Sequence, residues 1–218
     1  MKVRDSLPDA GFHWFRDALS KACLTELDHW FRDGMNGPGA RRSVRSLPDT
    51  AKGALQVLAS RIQPESKPVR VVTFDKSEEA NWALPWHRDF VITTADRQEV
   101  EGFSNWTRRN GVWHVRPPMA LLEQMFFLRV LLDDTNEQSG DLEIVPTSHV
   151  GRHSRTAHEF DGDIEKASIS TFGERGDILA LHALILHRSA AAGARKARRA
   201  IRIDFSADAL PEPLEWAD

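Results

Sequence analysis

Helical spacing confined to the first third of the chain, followed by many short strand candidates set off by turns, predicts a mainly β protein with flanking helices. The arrangement expected is a double-sheet barrel with the N-terminal helices packed on one outer face. No internal repeat or low-complexity linker divides the 218 residues, a length that one barrel domain fills, so 1–218 is expected to be a single domain.

In chain order, Phe12, Phe15, Leu19, Leu24, Leu27 and Trp30 recur at helical spacing, which predicts a helix from about Asp9 to Arg32. Asn36-Gly37-Pro38-Gly39 then breaks the chain. A second helix is expected from Asp49, an N-cap residue type, to Ile62, with Ala54, Leu55, Leu58 and Ile62 on one side. Residues 1–65 are thus read as a helical N-terminal part and 66–210 as the barrel. Val69-Arg70-Val71-Val72-Thr73-Phe74 is rich in β-branched residues and opens the strands. Further strands are predicted at 86–91, 126–133, 142–145, 177–181, 184–189 and 198–206, punctuated by Gly140, Pro146, Gly173 and Gly176. The stretch 93–118 has no clean period and is read as a lid or substrate loop.

Composition narrows the function classes. With 41% hydrophobic and 28% charged residues the chain is an ordinary globular protein, and a net charge of −3 argues against a nucleic-acid partner. No apolar run is long enough to span a bilayer, and the first residues lack the apolar stretch of a secretory signal. The single cysteine, Cys23, fits a reducing compartment, so a cytoplasmic location is expected.

Two segments carry the chemistry. Trp86-His87-Arg88-Asp89 holds His-x-Asp, which on a strand places an imidazole and a carboxylate on the same face. Taken alone, such a pair is common on protein surfaces. A distant histidine, His187 in Leu184-Ile185-Leu186-His187-Arg188-Ser189, would complete a 2-His-1-carboxylate set, the donor set of non-haem Fe(II) oxygenases. His182 competes for that position, and His149 with His153 has a spacing that would suit zinc on a helix. Pro146-Thr147-Ser148 before that pair reads as a turn, which ranks it lower.

Parity along 198–205 adds a further observation. Ile201, Ile203 and Phe205 share one face, and Arg198, Ala200, Arg202 and Asp204 share the other. If the second face looks into the barrel, its arginines must meet anions, and a dicarboxylate would supply one. The alternative is an edge strand with one wet face.

Taken together, the chain resembles the phytanoyl-CoA dioxygenase family of Fe(II)/2-oxoglutarate-dependent oxygenases. The matching residues are Leu84-Pro85-Trp86-His87-Arg88-Asp89, the run from Leu131 through Gly140-Asp141-Leu142 to Pro146-Thr147-Ser148-His149, and Gly176 through His187-Arg188-Ser189 to Arg198-Arg199-Ala200. The resemblance covers about the C-terminal two-thirds. It implies a double-stranded β-helix, a jelly-roll or cupin-like barrel, with His87, Asp89 and His187 as iron ligands and catalytic centre. It also implies Arg198 and Ser189 as holders of the distal carboxylate of 2-oxoglutarate. Thr147 stands where the family usually has glycine. Arg129 stands where some members carry an aromatic residue against the cosubstrate, so it is read either as a contact to cosubstrate or substrate or as a paired structural arginine. A carboxylate at Asp89 disfavours halogenation, since halogenating relatives carry a small residue there.

The activity implied is hydroxylation of a small organic substrate by Fe(II), 2-oxoglutarate and O2, with release of succinate and CO2. The resemblance does not name the substrate. Arg202, Trp106, Trp113 and Arg116, with Arg108 and Arg109, are candidates to bind a small organic acid or amphiphile. Two rival readings stay open: a cupin-like metalloenzyme that does not use 2-oxoglutarate, and a non-catalytic relative that binds a ligand.

Overall fold

The structure, a computed structural model, describes residues 7–34, 38–76, 80–151, 160, 162–193 and 198–217. The chain begins with strand β1 (Phe12–Phe15), helix α1 (Lys21–Arg32), strand β2 (Pro38–Arg42), helix α2 (Asp49–Ile62) and the long strand β3 (Lys67–Lys76). Next come β4 (Leu84–His87), β5 (Ile92–Thr94), β6 (Ser104–Arg109), β7 (Val112–Arg116), β8 (Phe126–Leu131) and β9 (Leu142–Val145). The last strands are β10 (Ile169–Ser170), β11 (Ile178–His182), β12 (Leu186–Ser189) and β13 (Arg198–Ser206). A large sheet runs β1-β11-β8-β13-β3-β2 and a small one β10-β9-β12-β4, both antiparallel. The two form a jelly roll. Phe127, Leu179 and Leu181 of the large sheet pack inside it against Ile144 and Ile185.

The outer face of the large sheet carries the helices, as the parity of β13 predicts. Ile201, Ile203 and Phe205 join Val71, Leu128 and Val130 under Leu27, Phe31 and Leu55. Burying side chains of this size stabilises the fold by about 1.5–3 kcal/mol each. In α1 the hydroxyl of Ser20 accepts from the Cys23 backbone N–H and caps the helix. In α2 the cap position falls on Pro48, with Asp49 already in the first turn, one residue from the expected start. β13 is not an edge strand: β8 and β3 flank it, so its Arg198, Arg202 and Asp204 are buried in the barrel.

Two expectations are corrected. The helix predicted from Asp9 begins only at Lys21, and Phe12–Phe15 pairs instead with Ile178–Leu181 at one edge of the large sheet. Phe12 and Phe15 match helical spacing by chance. Gly11, at a φ of +79°, turns the chain into a strand of aromatic residues, which suit a pleated surface better than a helix. The N-terminal part therefore holds strands as well as helices.

The stretch 93–118 is not a loop but part of a third sheet, ordered β5-β7-β6. Asn110 and Gly111 both have positive φ, the geometry of a two-residue hairpin turn, and join β6 to β7. Ile92, Phe103 and Val115 pack this sheet against Leu122, Met125, Leu210 and Leu214. Among the described residues no helix is long and apolar enough to cross a membrane.

Candidate metal centre

His87 closes β4, and in the β4–β12 pairing it stands directly opposite His187. The two rings lie 4.3 Å apart between centroids. The predicted strand 86–91 stops at His87, so Asp89 sits just beyond the strand end; its Oδ2 still comes to 3.8 Å from His187 Nε2. Among the described residues, His87, Asp89 and His187 form the one group whose ligand atoms all fall within 4.8 Å of one another.

The backbone sets the tautomers. His87 Nδ1 lies 2.7 Å from the Pro85 carbonyl oxygen, and His187 Nδ1 lies 2.9 Å from that of Ile185. A carbonyl only accepts, so each Nδ1 carries the proton and each Nε2 presents its lone pair. Burial pushes His187 down to about 4, against the pull of Asp89, so its imidazole is neutral and ready to ligate at ordinary pH. Burial opposes ionisation of Asp89, but Arg202, His187 and Arg70 outweigh it and hold the carboxyl well below its usual range. Two imidazoles that present Nε2 and one carboxylate, with the other positions open, fit Fe(II).

The rival histidines do not join this set. His182 Nδ1 accepts from the Leu184 backbone N–H at 3.1 Å, and its ring packs against His149. His153 lies outside the described residues.

A second constellation lies deeper in the barrel. Arg198 is buried and donates through Nη1 to Asp141 Oδ1 at 2.9 Å and through Nη2 to Ser189 Oγ at 3.5 Å. Arg129 Nη2 donates to the same Asp141 oxygen at 2.6 Å. Opposite Arg198 in the β13–β3 register stands Lys76, fully buried. Its Nζ donates to Ser189 Oγ at 2.6 Å, to Gly140 O at 3.0 Å and to Ala190 O.

Two guanidinium groups thus share one carboxylate, with the Lys76 amine bonded to Ser189 beside them. Burial and the neighbouring guanidinium groups push Lys76 down to about 7, and burial pushes Arg198 down to about 10. Among the described residues, the buried donors Arg129 Nη1 and Arg198 Nε and the buried acceptor Asp141 Oδ2 have no partner. Each unmet buried donor costs about 1–3 kcal/mol, so the pocket is short of an anion. Lys76 and Asp141 were not singled out as functional from the sequence.

The other candidates fall elsewhere. Arg202 pairs with Asp89 and, at 2.6 Å, with Asp204, and its guanidinium lies 3.8 Å over the Phe127 ring; it is tied to the metal set and not held out toward solvent. Trp106 and Trp113 meet edge to face in the third sheet, and Arg116 lies over Phe90. Arg108 and Arg109 are exposed.

The barrel is shared with solved structures of low identity. AviO1 from Streptomyces viridochromogenes Tue57 superposes with a TM-score of 0.62 at 17% identity, covering 96% of this chain and 95% of that one. EctD from S. alaskensis gives 0.67 at 15%, covering 96% and 78%. The epimerase SnoN, in complex with Fe3+, alpha-ketoglutarate and nogalamycin RO, gives 0.65 at 15%, covering 99% and 91%. No curated protein sequence matches the chain. The family profile of phytanoyl-CoA dioxygenase (PhyH) matches residues 21–200, a span that runs from α1 into β13 and contains all three ligand candidates. With that match over most of its length, the chain belongs to the phytanoyl-CoA dioxygenase (PhyH) family of Fe(II)- and 2-oxoglutarate-dependent enzymes.

Proposed function

We propose that the chain, acting as one catalytic domain, hydroxylates a small organic substrate with consumption of O2 and 2-oxoglutarate and release of succinate and CO2. The observation that carries this reading is the pairing of an open His87–Asp89–His187 set with a buried cationic pocket in the same barrel. His87, Asp89 and His187 would hold Fe(II), which with 2-oxoglutarate and O2 would supply the oxidising power for C–H hydroxylation.

The chain's own residues do the rest. His87 and His187 present Nε2, each fixed by its backbone carbonyl, and Arg202 keeps Asp89 ionised and in place. Arg198, Lys76 and Arg129 receive the distal carboxylate of the cosubstrate, with Ser189 bonded between Lys76 and Arg198. Asp141 sets the two guanidinium groups side by side. Ile144, Leu179 and Ile185 keep that end of the barrel dry.

The pocket argues against a metalloenzyme that does not use 2-oxoglutarate, because such an enzyme has no need of two buried guanidinium groups on a single carboxylate in the same barrel. The intact ligand set argues against a non-catalytic relative. A substrate-free experiment tests the reading: anaerobic Fe(II) followed by 2-oxoglutarate is expected to give the weak visible charge-transfer band of a 2-oxo acid chelated at an open site. His187→Ala is expected to lose it. Iron binding with no band would favour the first rival, and no iron binding would favour the second.

A further inference from the structure

Residues directly opposed in an antiparallel sheet share a face. Across β8, β13, β3 and β2 one such row reads Arg129, Arg202, Val72, Arg41. Its face is the barrel interior, since Arg202 reaches Asp89 from it. Arg129 is matched by Asp141, and Arg202 by Asp89 and Asp204. Arg41 has no such match. It donates through Nη1 to the Gly39 carbonyl at 3.0 Å, its Nε is buried without a partner, and no ion pair reaches it among the described residues.

Arg41 stands two strands from Arg202, about 10 Å across the sheet, within reach of a long side chain. Burial and Arg70 push its guanidinium down to about 10, while Asp204 and Asp89 pull the other way, which places it in the field of the metal set. His114, facing it from β7, is pushed down by burial and by Arg41, so it stays neutral and adds no charge. Arg41, Arg70 and Arg202 against Asp89 and Asp204 leave one uncompensated positive charge. One carboxylate balances it; a doubly charged phosphate monoester would overshoot. Next to Arg70, Arg202 and Asp89 lies a void of about 10 Å³, the size of one water, walled by Val91, Leu122, Met125 and Ala183; Arg41 does not line it.

We propose that Arg41 selects the substrate, binding a single carboxylate on it at the β2 edge of the barrel interior. Arg41 is half-buried on an outer strand, so one side of it is open to an arriving ligand. The fate of such a substrate rests on the oxygenase reading, but its binding does not.

The test compares phenylacetate with phenylacetamide, which differ only in the charged group. Calorimetric titration is done on the metal-free protein and again on the anaerobic Fe(II)–2-oxoglutarate complex. Wild type is expected to prefer the carboxylate by about tenfold or more, as befits a charge-assisted pair. Arg41→Leu should erase the preference, Arg41→Lys should keep part of it, and Arg108→Ala should keep all of it. Arg41→Gln, which retains hydrogen bonding without charge, should repeat the Leu result if that variant folds poorly. Equal affinities in wild type, no binding of phenylacetate, or a preference that survives in Arg41→Gln would overturn the proposal. A preference without a charge-transfer band would instead overturn the oxygenase reading and leave Arg41 in its role.

Discussion

Arg202 Nη1 is bonded to Asp89 Oδ2, the same oxygen that lies 3.8 Å from His187 Nε2. The carboxylate of the candidate metal set is therefore held by a residue 113 positions away in sequence, Arg202 on β13, which is itself fixed by Asp204 and by stacking on Phe127. Loss of Asp89 would leave Arg202 with one carboxylate where it had two.

Asp89→Ala is expected to abolish Fe(II)-dependent binding of 2-oxoglutarate. Arg202→Leu leaves all three ligands in place and is expected to weaken Fe(II) binding by about 10–100-fold, the usual scale for a residue that orients a ligand. Anaerobic calorimetric titration of Fe(II) measures both. Unchanged affinity in Arg202→Leu would mean that Asp89 is held well enough without it.

Arg198→Ala removes one side of a buried, charged contact, a change that typically costs about 2–5 kcal/mol. The dissociation constant for 2-oxoglutarate should rise roughly 30-fold or more, since each 1.4 kcal/mol is tenfold. Pyruvate, which chelates in the same way but has no distal carboxylate, should bind as before. The charge-transfer band, titrated with each acid, gives both constants.

Lys76 gives a pH dependence with a definite sign. Burial, with Arg198 and Arg129, pushes it down to about 7 in the folded chain, against ~10.4 when unfolded. Between those values the unfolded chain holds a proton that the folded chain has lost, so stability rises with pH across that window. Below it the folded chain bears the full cost of a buried charge. A bound carboxylate favours the charged lysine, so 2-oxoglutarate binding should take up a proton in the same window and weaken as pH rises. Calorimetry in two buffers of different ionisation enthalpy reads the uptake, and Lys76→Met should eliminate it.

Gly140 has a φ of +62°, and a Cβ there would come within 2.4 Å of the Ala192 backbone nitrogen and 2.6 Å of the Ala190 carbonyl. The Gly140 carbonyl also accepts from Lys76 and Ser189. Gly140→Ala should therefore destabilise the fold by about 1–3 kcal/mol or more through backbone strain and displacement, and weaken cosubstrate binding as well. Denaturant unfolding and the band titration check the two effects.

Arg108→Ala and Arg109→Ala remove exposed arginines of the third sheet. Both should leave stability within about 0.5 kcal/mol and leave turnover unchanged. A clear loss of turnover would return substrate recognition to that sheet.

The two faces of β13 are legible because they rest on short-range alternation; His87, Asp89 and His187 follow instead from the family resemblance, since β4 ends at His87 and Asp89 lies beyond it. Lys76 is not legible: the predicted strand ends at Phe74, and a lysine at a strand end normally reaches water. Its burial follows from pairing with Arg198, a contact across more than half the chain. Arg41 follows a Gly-Pro-Gly break and carries no local pattern; only the cross-strand row gives it a place. The third sheet did leave a signal, Asn110-Gly111 between Trp106-Thr107-Arg108-Arg109 and Val112-Trp113-His114-Val115, but the polar residues around it hid the alternation.

β13 carries two instructions in one strand. Ile201, Ile203 and Phe205 tie the barrel to its helices, and Arg198, Arg202 and Asp204, interleaved with them, arm the interior. Inserting or deleting one residue here would exchange the two sets, sending charges beneath Leu27 and Phe31 and hydrocarbon toward Asp89. Side chains on either face can change one at a time. The strand's reading frame cannot, and stability and catalysis would fail together at that one step.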